Sequence, residues 1–125
     1  MDGAVPHSCQ EEFYVQTRDF LRELKYLKEF TANERKPYVR FTGGCLFMPT
    51  STGKCSTRVE IDGHSDTTFA FPLPKMLDAV RQFKDEPRVK LKITSAVSPI
   101  MVEADGRGDF ALVCPVRLTD RLMAA

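Results

Sequence analysis

The spacing of hydrophobic and polar positions changes period several times along this chain, and each change marks an element. Glu12-Phe13-Tyr14-Val15-Gln16 reads as a short strand. Thr17 then supplies an N-cap, and Phe20, Leu24, Leu27 and Thr31 recur at helical spacing with Leu21 beside them, predicting a helix to about Phe30. After a turn from Asn33 to Pro37, Tyr38-Val39-Arg40-Phe41 alternates as a strand does, and Gly43-Gly44 turns into Cys45-Leu46-Phe47-Met48. Ser51-Thr52-Gly53-Lys54 reads as a hairpin loop. Ser56-Thr57-Arg58-Val59-Glu60-Ile61 alternates again, and Asp62-Gly63-His64-Ser65-Asp66 has the chemistry of a turn.

The order then starts over. Thr67-Thr68-Phe69-Ala70-Phe71 is a strand, and Pro74 stands at a first helical position. The helix it opens runs to about Lys84 and is stopped by Pro87. Arg88-Val89-Lys90-Leu91-Lys92-Ile93-Thr94 alternates cleanly. Ile100-Met101-Val102-Glu103 and Phe110-Ala111-Leu112-Val113 follow, with a turn at Asp105-Gly106-Arg107-Gly108 between them. Leu21, Leu24 and Leu27 of the first helix recur as Leu77, Val80 and Phe83 of the second, 56 positions later. The chain therefore reads as βαβββ twice, two half-domains about a pseudo-two-fold. Hairpin-linked strands outnumber helices, so the expected class is α+β, antiparallel sheets with both helices on one face.

A length of 125 residues suits one domain with a real core. Residues 1–10 lack periodicity and are expected to form a flexible arm, residues 11–118 the domain, and residues 119–125 a tail. No apolar run approaches the roughly 20 residues of a membrane helix. The first residues lack the basic start and apolar stretch of a signal peptide, so a cytoplasmic protein with no membrane contact is expected. The formal net charge of +1 excludes a protein that holds nucleic acid by overall attraction. Any DNA contact must come from charge distribution or topology.

One stretch is more specific: Phe69 through Phe83, Arg88 to Thr94, Ser98-Pro99-Ile100, and the closing Cys114-Pro115-Val116-Arg117-Leu118. It resembles the C-terminal domain of the bacterial DNA polymerase III beta subunit, the sliding clamp. That family closes with a Leu- and Asp-rich helix, a Ser-Pro before an apolar strand, and a final Met-Pro-Met-Arg-Leu. The doubled βαβββ unit is also that family's domain plan. The resemblance covers roughly residues 11–118, most strongly 69–118.

The resemblance implies a non-enzymatic, DNA-clamp-like domain for replication and processivity. Its sheets would form the outside of a ring and its helices would line the hole. The DNA-facing residues would be Arg18, Arg22 and Lys25, one stripe opposite Phe20, Leu24 and Leu27, although Glu29 continues that stripe. Lys75 and Arg81 would join them from a second helix whose charges nearly cancel. Contact with duplex DNA would be weak and non-specific. Arg88, Lys90 and Lys92 would lie on the outer surface.

The family also captures linear motifs of polymerases and other proteins in an apolar pocket. The matching positions are Pro99, Leu112, Cys114, Pro115, Val116 and Arg117. Cys114 and Val116 replace flexible methionines there, and Leu112, Cys114 and Val116 are also suited to filling a core. The chain continues beyond Leu118, so the tail is a candidate to cover the pocket. A bacterial clamp has three such domains per subunit and closes as a dimer. A ring would need six copies of this chain, a homo-oligomer with head-to-tail interfaces. The alternative is a monomeric interaction module, a regulator or decoy that mimics a clamp domain.

Other constellations are thinner. Gly53-Lys54-Cys55-Ser56 fails as a phosphate loop because Met48 stands where its first glycine belongs. Asp62, His64 and Asp66 could present metal ligands, but a Gly- and Ser-rich turn explains them more simply, and no metal or cofactor is expected. Arg107-Gly108-Asp109 carries no meaning in a cytoplasmic hairpin. Cys9, Cys45, Cys55 and Cys114 form no CxxC pair. Cys45 and Cys55 could meet across a hairpin, though free thiols are expected. Either of them with His64 is the sole route to a small Cys/His enzyme.

Overall fold

A computed structural model describes residues 10–32, 34–105 and 108–123. The first half holds β1 (Glu11–Gln16), α1 (Thr17–Lys28), β2 (Tyr38–Thr42), β3 (Cys45–Thr50) and β4 (Gly53–Arg58). The second holds β5 (Asp62–Gly63), β6 (Phe69–Pro72), α2 (Leu73–Arg81), β7 (Arg88–Ile93), β8 (Ile100–Ala104), β9 (Phe110–Val113) and α3 (Asp120–Met123). All pairings are antiparallel, in two sheets ordered β5-β1-β7-β8-β9 and β4-β3-β2-β6.

The sheets show why the halves cannot be separated: each lends its first strand to the other's sheet. β1 pairs with β7 so that Phe13 faces Leu91 and Val15 faces Val89. β6 pairs with β2 so that Phe69 faces Phe41 and Phe71 faces Val39. The registers are equivalent under the repeat. The helix starts repeat as well. The Thr17 N–H donates to the Pro87 carbonyl at 3.1 Å, and the Leu73 N–H to the Pro37 carbonyl at 2.8 Å. Each bond satisfies a donor that a helix leaves open at its first turn.

Alternation places Phe13, Val15, Val39, Phe41, Leu46, Met48, Phe69, Phe71, Val89, Leu91 and Val102 inward, all buried. α1 adds Phe20, Leu24 and Leu27, and α2 adds Leu73, Met76, Leu77 and Val80, to one continuous cluster. The helices pack against each other on the inner side of both sheets. At the centre Phe41 is stacked between Phe13 (5.4 Å) and Phe69 (5.0 Å), with Phe20 edge-on at 6.5 Å.

Several local expectations need correction. Thr17 is not the N-cap. Gln16 holds that position in extended conformation without a side-chain cap, and Thr17 is the first helical residue, its buried hydroxyl unpartnered. The helices end at Lys28 and Arg81, not at Phe30 and Lys84. β4 begins at Gly53 and ends at Arg58, and the Val59 N–H donates to the Gly44 carbonyl at 2.8 Å in the register of the same ladder. The turn around Asp62 includes the short β5, paired with β1. Residues 1–9, most of the expected arm, lie outside the described residues. No helix among the described residues is long and apolar enough to cross a membrane.

Candidate DNA-facing and peptide-docking surfaces

α1 buries one face, which turns Arg18, Arg22 and Lys25 outward; all three are exposed. They are not electrostatically equal. Arg22 lies 3.4 Å from Asp19 and 3.0 Å from Glu23, so its charge is largely matched within the helix. Glu23 is itself tied to β4: the Thr57 hydroxyl donates to it at 2.6 Å and, with Arg22 beside it, holds the carboxyl below its usual range. Among the described residues Arg18, Lys25 and the neighbouring Lys28 form no ion pair. On α2, Lys75 and Arg81 are exposed, and Arg81 is 3.6 Å from Asp78. The helix pair thus exposes a modest positive surface, concentrated on α1.

Arg88, Lys90 and Lys92 alternate away from the helices, and here every charge has a partner. Arg88 meets Asp105 at 2.7 Å and Asp62 at 3.7 Å and stacks over the Tyr14 ring at 3.9 Å. Lys90 lies 3.7 Å from Glu12, and Lys92 is 2.8 Å from Glu103.

The expected pocket positions gather where β8 begins and β9 ends. Ile100 pairs with Val113, which sets the exposed Pro99 beside the exposed Cys114. Leu112 is 57% exposed and Phe110 is 55% exposed, so the β9 face that would have filled a core is turned to solvent. Pro115 and Val116 are half-buried and Arg117 is exposed. The Val116 N–H donates to the Ala70 carbonyl at 3.0 Å, carrying the chain onto β6 of the other sheet. Beyond it α3 rests on β2 and β3, with Leu122 buried and its carbonyl accepting from Arg40 at 2.9 Å. The helical part of the tail therefore lies on the four-stranded sheet, while Leu112 belongs to the five-stranded one.

Among the described residues no Cys/His pair is assembled. Cys45 and Cys55 lie in the four-stranded sheet, whereas His64 follows β5 at the edge of the other. Burial pushes the Cys55 thiol above its usual range, the wrong direction for a nucleophile. Nor do Cys45 and Cys55 face each other. Cys45 opposes Arg58 and Cys55 opposes Met48; one side chain is exposed and the other buried, and both are free thiols. The histidine finds carboxylates instead, Asp66 at 3.0 Å and Glu11 at 3.9 Å. Glu11, which the spacing of Asp62, His64 and Asp66 did not reveal, also accepts from the backbone of Asp66 and Thr67. That carboxylate ties the loop between the halves to β1. Arg107 lies outside the described residues.

Two exchanged βαβββ halves, with paired helices inside two antiparallel sheets, define the DNA-clamp class of α+β domain. The fold is that of one domain of the DNA polymerase III beta subunit. The chain superposes on the beta subunit from Streptococcus pyogenes with a TM-score of 0.77 at 15% identity, covering 93% of this chain and 35% of that one. For a DNA polymerase III beta subunit from Eubacterium rectale the values are 0.75, 22%, 86% and 30%. For the C. crescentus beta sliding clamp they are 0.75, 18%, 94% and 34%. The chain thus spans about a third of the length of the clamps it matches. No protein-family model and no curated protein matches it.

Proposed function

We propose that this chain is a non-enzymatic, sliding-clamp-like accessory of DNA replication, with residues 11–118 as the clamp-like unit, acting in the cytoplasm as a ring of copies around duplex DNA. The observation that carries the reading is the pair of outermost strands β4 and β9. They are equivalent under the repeat, and each ends a sheet. The other two edges differ. β6 receives the Val116 bond, and the second edge ends in a two-residue strand. Open edges are templates for pairing with another chain, and one edge of each kind permits head-to-tail closure. Six copies would match the three domains in each subunit of a dimeric clamp, with the α1 surface toward the DNA.

Sedimentation tests the ring. The expected species is close to six times the 14.1 kDa protomer, and a strict monomer at tens of micromolar would sink it. For DNA contact, Arg18→Glu with Lys25→Glu is the informative variant. Arg22→Glu would set a third carboxylate beside Asp19 and Glu23 and confuse binding with folding. Retention on circular DNA should fall in the double variant while its unfolding temperature holds; unchanged retention at low salt would make the stripe an ordinary solvated face.

A second reading has its own support: the exposed Leu112 and Cys114 beside Pro99, Pro115, Val116 and Arg117 suit docking of a polymerase-type linear motif. Titration of such a peptide should shift resonances from Leu112 to Arg117, and no shift would remove the site. A monomer that takes the peptide would identify the alternative, an interaction module that mimics a clamp domain.

A further inference from the structure

The pseudo-two-fold offers an internal comparison of the two outer sheet faces. On the five-stranded face each cation is met by a carboxylate, with Glu12 and Glu103 serving Lys90 and Lys92. The repeat places Thr68 and Phe47 where those glutamates stand, 56 positions apart in each case. The four-stranded face loses the acids and keeps one of the three cations, Arg40 at the place of Lys90, while Tyr38 and Thr42 replace Arg88 and Lys92 and β4 adds Lys54 and Arg58 of its own. Arg40 stacks over Phe47 at 4.7 Å and spends one N–H on the Leu122 carbonyl. Arg58 donates to the Cys45 sulfur at 3.0 Å, and Lys54 stands on the same strand face. Among the described residues none of the three forms an ion pair. They line a shallow cleft of about 390 Å³ that contains no carboxylate.

We infer that this cleft binds an acidic segment of a partner protein in extended conformation. Lys54, Ser56 and Arg58 alternate along β4, so Lys54 and Arg58 are about 13 Å apart along the strand. An extended peptide repeats its side chains at the same interval, so carboxylates four positions apart meet both cations, with the Ser56 hydroxyl between them and Arg40 two strands inward, across Phe47 of β3. Arginine pairs carboxylates through two parallel N–H bonds. Single-stranded nucleic acid fits less well. It needs exposed aromatic platforms for its bases, and Phe47 is 6% exposed beneath the Arg40 guanidinium. β4 is also the edge that ring closure would use, but the cleft is built from its outward side chains and closure from its backbone edge, and the α1 surface plays no part in it.

The test is fluorescence anisotropy on the full chain, with a labelled peptide of alternating glutamate and alanine and, separately, a short oligothymidylate. Lys54→Glu with Arg58→Glu should weaken peptide binding by roughly fivefold or more, on the scale of reversing two exposed charge contacts. Lys90→Gln with Lys92→Gln, on the face already neutralised, should leave it unchanged. Thermal unfolding establishes that both variants fold, and Lys54→Gln with Arg58→Gln replaces the first if it does not. Absence of peptide binding, equal losses on the two faces, or an oligothymidylate affinity that falls as much as the peptide's would each overturn the assignment.

Discussion

Phe41 is where the exchange of strands between the halves is fastened. It lies on β2, and its stacked neighbours Phe13 and Phe69 are the equivalent residues of the two exchanged strands, each ring plane within 20° of its own. Phe20 adds an edge contact from α1. Phe41→Leu keeps the site apolar but removes both stacked contacts and part of the ring volume. An aromatic pair contributes about 0.5–1.5 kcal/mol beyond burial, so the expected loss is about 2–3 kcal/mol. Phe71→Leu is the control. Phe71 is equally buried but has one tilted ring neighbour, Phe69 at 6.3 Å, and should lose only about 1–1.5 kcal/mol. Urea unfolding followed by circular dichroism measures both, with unchanged m-values certifying that stability alone has moved. In thermal unfolding Phe41→Leu should lower the midpoint by roughly 6–12 °C. Equal losses for the two variants, within about 0.5 kcal/mol, would refute the claim that the three-ring stack fastens the halves.

Other outcomes follow from single sites. Thr17→Val removes a buried, unpartnered hydroxyl while keeping the branched shape, and should raise stability by about 1 kcal/mol in urea unfolding. Gly44 has φ +97°, and a Cβ there would stand 2.5 Å from the Val59 carbonyl oxygen, so Gly44→Ala should cost about 2–3 kcal/mol. Gly108→Ala, where φ is also positive but nothing lies within 4 Å, should cost only about 1 kcal/mol by the same measurement. The Glu23 carboxyl is held low by Thr57, so its contribution is complete above the ordinary glutamate range and fades as pH falls through the depressed folded value. Thr57→Val should therefore flatten the decline of the urea midpoint in that acid window, and an unchanged profile would show that the bond does not act on stability.

The fold was legible because its signals are local and were written twice. Alternation in Tyr38–Phe41 and Arg88–Ile93, helical spacing in Phe20, Leu24 and Leu27, and the recurrence 56 residues later suffice for two βαβββ halves. The boundaries that failed have two causes: the helix ends tighten into local turns, as where the Phe30 N–H donates to Leu27, and the start of α1 depends on a distant partner. Thr17 resembles an N-cap until Pro87, far along the chain, takes its N–H. Charge was the least legible feature. Arg22 and Lys25 look alike in a helical projection, but Asp19 and Glu23 neutralise only the first. Leu112 and Cys114 pattern like core residues, and only their place, Leu112 on the outer face of edge strand β9 and Cys114 just past its end, shows them to be exposed.

These electrostatics bear on how such a chain would hold DNA. Non-specific affinity falls with salt by a logarithmic slope of about 0.9 per phosphate contact, and proteins that bind by attraction make roughly 6–10 such contacts. One copy offers Arg18, Lys25, Lys28 and Lys75, unpaired among the described residues, with Glu29 on the same stripe of α1 to oppose them. That is too few for a lone protomer to stay on duplex DNA at physiological salt. A closed ring changes the terms, because dissociation then requires an interface between copies to open, and inward charges need only keep the protein from sticking or being repelled. A near-neutral lining is then an asset, since each tight phosphate contact would slow sliding. On the proposed reading, the modest charge of these helices and the open edges of β4 and β9 answer the same requirement: DNA held by topology, at low electrostatic cost to movement.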